Sequence, residues 1–281
     1  MTGAFAITVA LASGLFGLLI GSFLNVVIYR VPAGISLLAP PSACPDCGNR
    51  IRPWDNVPVI SWLALRAKCR DCGQKISARY PLVEAGTGIA FSAVALVALA
   101  MPPRIAPGQE AIAGSLVLVA YLYLAAITVA LGLIDLDVHT LPNRIVLPAY
   151  LVAGALFLAA SVLGGEYSAL ARAGIGMAAL FALYFVMAVA YPGGMGLGDV
   201  KLAGVLGMFL GWTGWGALVV GAFSAFLLGG LYAIALILFK RANRKSGIPF
   251  GPWMLAGAWM GIGLGGVIFT AYLNLFGLAA A

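Results

Sequence analysis

Residues 111–134 read AIAGSLVLVAYLYLAAITVALGLI, and this uncharged apolar run continues directly into DLDVHTLPN at residues 135–143. A helix that crosses the hydrocarbon core of a bilayer needs about 20 apolar residues, so the run is long enough to span a membrane. An Asp costs roughly 2.5–3.5 kcal/mol at the centre of a membrane helix, and less near the interface. The stretch therefore predicts a membrane helix that ends in a functional acidic segment.

Further uncharged runs extend this pattern to the whole chain. Hydrophobic residues make up 63% of the 281 residues and charged residues only 9%, against roughly 25% charged in soluble domains. The run at 202–239 is nearly twice as long as one crossing needs, and GWTGWG at 211–216 predicts a turn inside it. We therefore predict an all-α polytopic membrane protein with about eight transmembrane helices. These helices fall within residues 1–29, 85–103, 111–134, 145–165, 173–198, 202–239 and 246–281.

The formal net charge of +7 is explained by membrane topology, so we expect no nucleic-acid partner. Eight of the sixteen Lys and Arg residues lie within residues 30–79, and four more lie within 240–245. By the positive-inside rule these segments are cytoplasmic, which places both chain termini outside. On this topology Asp135 and Asp199 lie together at the cytoplasmic face.

Two CxxC pairs in the first long loop predict a structural metal site. Cys44-Pro45-Asp46-Cys47 and Cys69-Arg70-Asp71-Cys72 contain all four cysteines of the chain, and a Gly follows each pair. Such a turn lets backbone amides point at the sulfurs, and two turns complete the four-sulfur geometry of structural zinc sites. Disulfides are rare in the cytoplasm, and the alternative is two redox-active or unligated pairs. We predict that zinc is bound by Cys44, Cys47, Cys69 and Cys72.

The same features divide the chain into three parts. Residues 1–30 form the first transmembrane helix, residues 31–81 form a small cytoplasmic zinc module, and residues 82–281 form a seven-helix membrane domain. The module keeps a net positive charge even with a four-thiolate zinc site. That charge suits anionic membrane lipid, or an acidic or carbonyl-rich partner segment, although it equally fits a simple determinant of topology.

A second acidic motif, Gly196-Leu197-Gly198-Asp199, lies at the edge of another apolar run. Two carboxylates that face each other form a pair that can act as acid and base. Asp137 is two residues beyond Asp135 and points about 200° away from it on a helix, so only one of them faces Asp199 readily. We choose Asp135 and Asp199 as the catalytic pair; the alternative is that each Asp only caps a helix.

Other chemistries find little support in the residues. His139 is the only histidine, so a His-based metal cluster is impossible, and no phosphate-binding or dinucleotide-binding glycine motif occurs. A transporter or channel with an Asp-based ion site is the main rival function. Such sites usually lie near mid-membrane between internal repeats, and this sequence has no visible repeat. A zinc-anchored scaffold, in which both Asp residues are replaceable, is a third possibility.

Several motifs resemble, in order and spacing, the type IV prepilin peptidases of the GxGD aspartyl protease class. The match covers most of the chain, with one mild departure at Asn143, where many members have Asp. Its segments are GSFLNVVIYRVP at 21–32, the two CxxC pairs, RYPLVE at 79–84, ID at 134–135, LPN at 141–143, GLGDVKL at 196–202 and PFGP at 249–252.

The resemblance implies a bifunctional enzyme of the bacterial inner membrane that serves type IV pilus or type II secretion systems. Such an enzyme removes a short basic leader from prepilin or pseudopilin precursors, after a Gly and before an apolar helix. It then methylates the new N-terminus with S-adenosylmethionine. Asp135 and Asp199 take the positions of the catalytic pair.

No S-adenosylmethionine pocket follows from the residues themselves. The new N-terminus appears at the cytoplasmic face, so the donor must reach it from the cytoplasm. We therefore expect the donor site within residues 30–84, the largest cytoplasmic segment. Glu84, where this segment re-enters the membrane, is the candidate cofactor-binding residue; the alternative is that it pairs with a nearby Arg such as Arg79 and only supports the fold. The oligomeric state does not follow from the sequence.

Overall fold

A computed structural model describes residues 3–100, 109–191, 193–239 and 248–278. Within these ranges the chain is helical, and its β-structure consists of two isolated bridges in the loop between the first and second long helices. The predicted all-α class is confirmed. The α-helices are α1 (Gly3–Arg30), α2 (Ile60–Ala64), α3 (Arg79–Ala100), α4 (Gln109–Val138), α5 (Asn143–Gly164), α6 (Tyr167–Ala190), α7 (Leu197–Thr213), α8 (Trp215–Leu238) and α9 (Gly251–Leu275).

Seven of the described helices are long and apolar enough to cross a membrane, so the chain is a multi-pass membrane protein. The exception among the long helices is α7, which has 17 residues and is about 25 Å long at 1.5 Å per residue. Its residues are almost all buried between Val200 and Gly211, because α5, α6, α8 and α9 pack against it. The predicted count of about eight transmembrane helices is therefore one higher than the seven described helices that are long enough to cross a membrane.

The described helices form two compact units. The first unit contains α1, α3, the loop between them and Tyr121–Ala130 of α4. Glycines bring α1 and α3 into backbone contact, since a Cβ added at Gly17 would lie 2.9 Å from the Cα atom of Gly88. The Ser92 hydroxyl also donates to the Ala10 carbonyl at 3.0 Å. Small residues thus replace large apolar ones where these two membrane helices meet.

The second unit contains the rest of the described α4 and helices α5 to α9. Two helix pairs within it, α6 with α7 and α8 with α9, are packed closely in the same way. A Cβ added at Gly207 of α7 would overlap the carbonyl oxygen of Gly176 on α6. One at Gly261 of α9 would lie 2.7 Å from the Cα atom of Gly221 on α8. This packing fixes α7, which carries Asp199 in its first turn.

The loops that flank the acidic motifs follow local sequence signals. Pro142 directly precedes α5 in an extended conformation. Gly214 has φ 151° and separates α7 from α8 within the run that predicted a turn. The run at 173–198 differs from the prediction, because α6 ends at Ala190 and α7 begins only at Leu197. Asp199 therefore lies in the first turn of α7.

The sequence-predicted basic cluster at 240–245 lies outside the described residues, as does Arg104. The described loop between α1 and α3 contains both CxxC pairs, a short 3₁₀ turn at Pro53–Asn56 and α2. Arg30 at the end of α1 is buried and orders the start of this loop. Its guanidinium donates to the carbonyl oxygens of Ser36 at 2.9 Å and Pro40 at 2.7 Å.

Candidate functional site

Asp135 is a buried carboxylate in the last turn of α4, only 5% exposed. Its Oδ2 atom accepts a hydrogen bond from the backbone N–H of Gly251 at 3.0 Å. Gly251 is the first residue of α9, and the first N–H groups of a helix have no partner inside it. The N-terminal end of a helix also favours negative charge. The N-terminal end of α9 therefore compensates part of the free-energy cost of burying the Asp135 carboxylate.

Asp199 lies in the first turn of α7 and is partly buried. Its Oδ2 atom accepts a hydrogen bond from the backbone N–H of Gly196 at 3.1 Å. This is a helix-capping bond, so the capping alternative describes a contact that the carboxylate does make. The capping bond involves only the Oδ2 atom of Asp199. It does not explain why this carboxylate also lines a cleft.

Asp135 and Asp199 line the same cleft, which has a volume of about 310 Å³. The two carboxylates are near enough to interact electrostatically. Its lining residues are Asp135, His139, Thr140, Leu141, Asn143, Gly196, Gly198, Asp199 and Lys201.

The residues near Asp135 take different positions around this cleft. Asp137 is exposed, whereas Asp135 is buried, as expected for side chains two positions apart at the end of a helix. His139 lines the cleft, has φ 54°, and donates its backbone N–H to the Asp135 carbonyl at 3.0 Å. The sequence-predicted pair, Asp135 and Asp199, is therefore the pair of carboxylates that the structure brings together.

Such a pair can carry out acid and base chemistry on a carbonyl compound. Two nearby carboxylates do not both ionise cheaply, so one remains protonated while the other is charged. The charged carboxylate can take a proton from water, and the protonated one can donate a hydrogen bond to a carbonyl oxygen. The arrangement fits hydrolysis of a peptide bond.

Glycines allow the end of α4 with its following loop, the start of α7 and the start of α9 to pack closely around Asp135 and Asp199. The sequence pattern alone did not assign this role to them. A Cβ added at Gly251 would lie 2.7 Å from the Oδ2 atom of Asp135, so a side chain there would displace the carboxylate. A Cβ at Gly198 would lie 3.1 Å from the Cβ atom of Leu141. The only sequence signals for these contacts are the PFGP and GLGD motifs themselves.

An aromatic cluster supports the chain just before Gly251. The ring of Phe250 packs against Phe226 of α8 and Tyr184 of α6, with centroid distances of 5.5 and 6.3 Å. Tyr184 and Phe226 also pack against each other at 5.3 Å. Tyr184 is 2% exposed. These packed rings support the segment that presents the N–H group to Asp135.

A second contact that the sequence pattern did not reveal lies in the same cleft. The Nζ atom of Lys201 donates to the Oδ1 atom of Asn143 at 3.0 Å. The hydroxyl of Tyr150 donates to the backbone carbonyl of Lys201 at 2.6 Å. Because Asn143 and Tyr150 both belong to α5, that helix binds the two ends of the Lys201 residue.

The four cysteines of the loop between α1 and α3 come together as predicted. Their sulfur atoms all lie within 4.8 Å of one another, and those of Cys44 and Cys72 are 3.8 Å apart. Tetrahedral zinc with Zn–S bonds of about 2.3 Å requires sulfur atoms about 3.8 Å apart. The cluster can therefore hold one metal ion with four sulfur ligands.

The two CxxC turns have the same backbone geometry. In the first, the Cys44 N–H donates to the Asn49 carbonyl at 2.9 Å; in the second, the Cys69 N–H donates to the Gln74 carbonyl at 2.8 Å. The Gly after each pair has a left-handed φ, 72° at Gly48 and 73° at Gly73, a conformation that Gly adopts without strain. Both glycines therefore occupy turn positions that suit Gly.

Local contacts act on the cysteines in opposite directions. The backbone N–H groups of Cys47 and Asp46 lower the pKa of the Cys44 thiol to about 7, which favours the thiolate that binds metal. Burial and the neighbouring sulfurs raise the pKa of Cys47, and they raise the pKa of Cys72 to about 12. The Arg70 guanidinium bonds to both carboxylate oxygens of Asp55, with Nε 2.8 Å from Oδ2, and holds the pKa of that carboxyl below its usual value. This ion pair joins the second CxxC turn to the 3₁₀ turn.

Glu84, the candidate methyl-donor residue, is buried in α3. Its Oε2 atom accepts the backbone N–H of Val59 at 2.7 Å. Val59 directly precedes α2 and has φ 61°, a conformation that is unusual for a β-branched residue. Glu84 therefore has a structural role in tying the cysteine-containing loop to α3, and a role toward a methyl donor stays a prediction.

Two family models match different parts of the chain. The model of the bacterial Peptidase A24 N-terminal domain matches residues 15–98. The model of the type IV leader peptidase family matches residues 122–234. The two matches include the four cysteines and the two carboxylates, respectively.

Relatives that align over most of their own length carry a peptidase name as well. A prepilin leader peptidase/N-methyltransferase of Aeromonas hydrophila is 37% identical over 93% of this chain and 93% of its own length. Proteins of the same name from Pseudomonas putida and Pseudomonas aeruginosa are 35% and 33% identical. The alignments cover 99% and 94% of this chain, and 97% and 93% of those proteins. No solved structure matches the chain significantly.

Proposed function

The chain belongs to the type IV leader peptidase family, and from this premise we propose that it is a membrane aspartic endopeptidase and N-methyltransferase. It removes the leader from type IV prepilin-like precursors and methylates the N-terminus that the cleavage creates. The observation that carries the proposal is the cleft in which Asp135 and Asp199 meet. Each carboxylate is held there by an N–H group at the start of a helix.

Asp135 and Asp199 share the work of peptide hydrolysis. The ionised member takes a proton from a water molecule, whose oxygen attacks the scissile carbonyl carbon. The protonated member donates a hydrogen bond to the carbonyl oxygen as negative charge develops on it. The C–N bond then breaks, and the leaving nitrogen takes up a proton. The geometry supports this division of roles without assigning either role to one particular Asp.

The location of the cleft fits a precursor whose cleavage site lies at the end of its own membrane helix. Asp135 is near the end of a membrane-spanning helix, so a bond at the same depth in the substrate can reach it. We propose that this face is cytoplasmic, that both termini lie outside, and that the membrane is the bacterial inner membrane. Prepilin or pseudopilin precursors are the substrates, and membrane lipid surrounds both partners.

We propose that the metal held by the four cysteines is zinc. Four sulfur ligands leave no open position for a reactive water, so the ion is structural. S-adenosylmethionine would supply the methyl group for the second reaction. The new N-terminal amine would accept that methyl group. We place the donor site within residues 30–84, with Glu84 as its candidate acidic residue.

The peptidase proposal is tested with purified protein, a prepilin and mass spectrometry of the products. Asp135→Asn and Asp199→Asn should each abolish leader removal. When an acid and a base act as a unit, removing either one alone loses nearly the whole rate enhancement. Asp137→Asn is the matched control and should keep most of the activity. If either of the first two variants cleaves at close to the wild-type rate, the assignment of the pair is wrong.

Methyl transfer is tested separately on prepilin that has already been cleaved. Glu84→Gln should lower methylation more than cleavage if Glu84 takes part in donor binding. Asp135→Asn should still methylate the cleaved substrate. Equal loss of both activities in Glu84→Gln would assign Glu84 to the fold alone, through its bond to Val59.

A further inference from the structure

Lys201 brings a positive charge into the cleft that the proposed peptidase mechanism does not use. The charged or titratable side chains that line the cleft are Asp135, His139, Asp199 and Lys201. The Lys201 ammonium is bonded to the neutral amide oxygen of Asn143. Neither of the two ion pairs recorded in the loop between α1 and α3, Arg52–Asp71 and Arg70–Asp55, involves Lys201.

The direction of the side chain separates Lys201 from the catalytic pair. Lys201 is two residues beyond Asp199 on α7, so the two side chains leave the helix about 200° apart. Asp199 turns toward Gly196, and Lys201 turns toward Asn143 on α5. The ammonium is therefore bound on the α5 side of the cleft.

Helix α5 holds the ammonium in place before any substrate arrives. Asn143 binds the end of the side chain, and the Tyr150 hydroxyl binds the backbone carbonyl of the same residue at 2.6 Å. Gly204, one turn further along α7, leaves the space that the Tyr150 hydroxyl occupies. A long side chain usually loses rotamer freedom when it binds a partner, and this tether removes part of that cost in advance.

We propose that Lys201 is a specificity-determining residue that binds an acidic side chain of the substrate close to the scissile bond. An ammonium has three N–H donors, and Asn143 uses one of them. A partly buried cation with a neutral partner gains more from a carboxylate than from an uncharged group. This inference rests on the proposed peptidase function, because it names a feature of the substrate for that same cleft.

Two variants separate the charge of Lys201 from its position. Asn143→Asp keeps a hydrogen-bond acceptor beside the Lys201 ammonium but places a negative charge there, which neutralises the ammonium. Asn143→Ala removes the hydrogen bond to Lys201 and leaves the ammonium charged. Lys201→Met removes the cation, and Lys201→Arg restores one. A purely structural tether between α5 and α7 predicts that Asn143→Asp behaves like wild type or is more stable. A binding role predicts that Asn143→Asp fails in the same way as Lys201→Met.

The test measures binding and cleavage of synthetic peptides that span a leader–helix junction. Glu or Gln is placed at one position at a time on either side of the scissile bond. Fluorescence anisotropy with Asp199→Asn protein gives Kd for each peptide, so the readout does not depend on cleavage. At one position the Glu peptide should bind about tenfold more tightly than its Gln counterpart, a difference of about 1.4 kcal/mol.

This preference should disappear when Lys201→Met or Asn143→Asp is added, and Lys201→Arg should keep most of it. Asn143→Ala should keep a reduced preference. Equal binding of the Glu and Gln peptides at every position, or a preference that survives Asn143→Asp, would overturn the proposal. Cleavage of the same peptides by wild-type protein tests the peptidase function separately. A protein that binds with the expected preference but never cleaves would disprove the peptidase function and leave the role of Lys201 in binding intact.

Discussion

At Asp135 the decisive contact comes from a residue 116 positions away along the chain. The carboxylate is buried, and the N–H group of Gly251 gives it a hydrogen bond from the free end of another helix. Any side chain at position 251 would occupy the space of the carboxylate oxygen. Gly251 is therefore part of the proposed active site through its backbone, although it has no side chain of its own.

Gly251→Ala should lower leader-peptide cleavage by about 100-fold, because a displacement of about 1 Å in a catalytic group can cost that much. The new Cβ would lie 2.7 Å from the Asp135 carboxylate and 3.3 Å from a Leu141 side-chain carbon, so one of them must move. Initial rates of prepilin cleavage give the measurement. Gly263→Ala on the same helix is the matched control, since nothing lies within 4 Å of its added Cβ. Similar rates in the two variants would contradict the role of Gly251.

Helical spacing predicted that only one of Asp135 and Asp137 faces Asp199, and the position of Asp135 directly after the apolar run favoured that residue, which is the buried one. Helical spacing was not enough to find Gly251 or the Asn143–Lys201 contact. Both contacts join residues on different helices. Each depends on tertiary packing that leaves no periodic signal in the sequence.

Among the structural elements, the paired CxxC turns were the most predictable. Their geometry is local: two sulfurs, a tight turn and a Gly with positive φ lie within a few consecutive residues. Helix α7 was less predictable, because its sequence is as apolar as that of a lipid-facing span. It is distinguished by its length and by the burial of its residues on all sides, which depend on the helices around it.

Cys44→Ser and Cys72→Ser should each lower the bound metal well below the value of about one zinc per chain expected for the wild type. Their sulfurs are adjacent in the cluster, and a hydroxyl is a poorer zinc ligand than a thiolate. Elemental analysis of purified protein gives the metal content. Limited proteolysis should cut the loop between α1 and α3 faster in both variants, since the ion helps to fold it. A metal-free wild type with disulfide-linked cysteines after anaerobic isolation would refute the zinc assignment.

For the whole molecule, the side of the membrane on which the C-terminus lies depends on α7. The seven helices of spanning length alone would place the two ends of the chain on opposite sides. If α7 also crosses, enclosed by α5, α6, α8 and α9, the number of crossings is even and both ends lie on one side. A helix of about 25 Å can cross in this way because its neighbours, and not lipid, cover most of its surface.

We expect α7 to cross, which gives a definite side for each described loop. Reporter enzymes that are active only outside the inner membrane should be active when fused after Gly165 or after Gly214, and inactive when fused after Leu141. Fluorescent-protein fusions, which mature in the cytoplasm, should give the reverse pattern. The fusion after Leu141 is the control, because the positive-inside rule and the proposed cytoplasmic active site both place that loop inside. A cytoplasmic result at Gly214 would mean that α7 enters and leaves by the same face, and would move the C-terminus to the cytoplasm while leaving Asp135 and Asp199 in their common cleft.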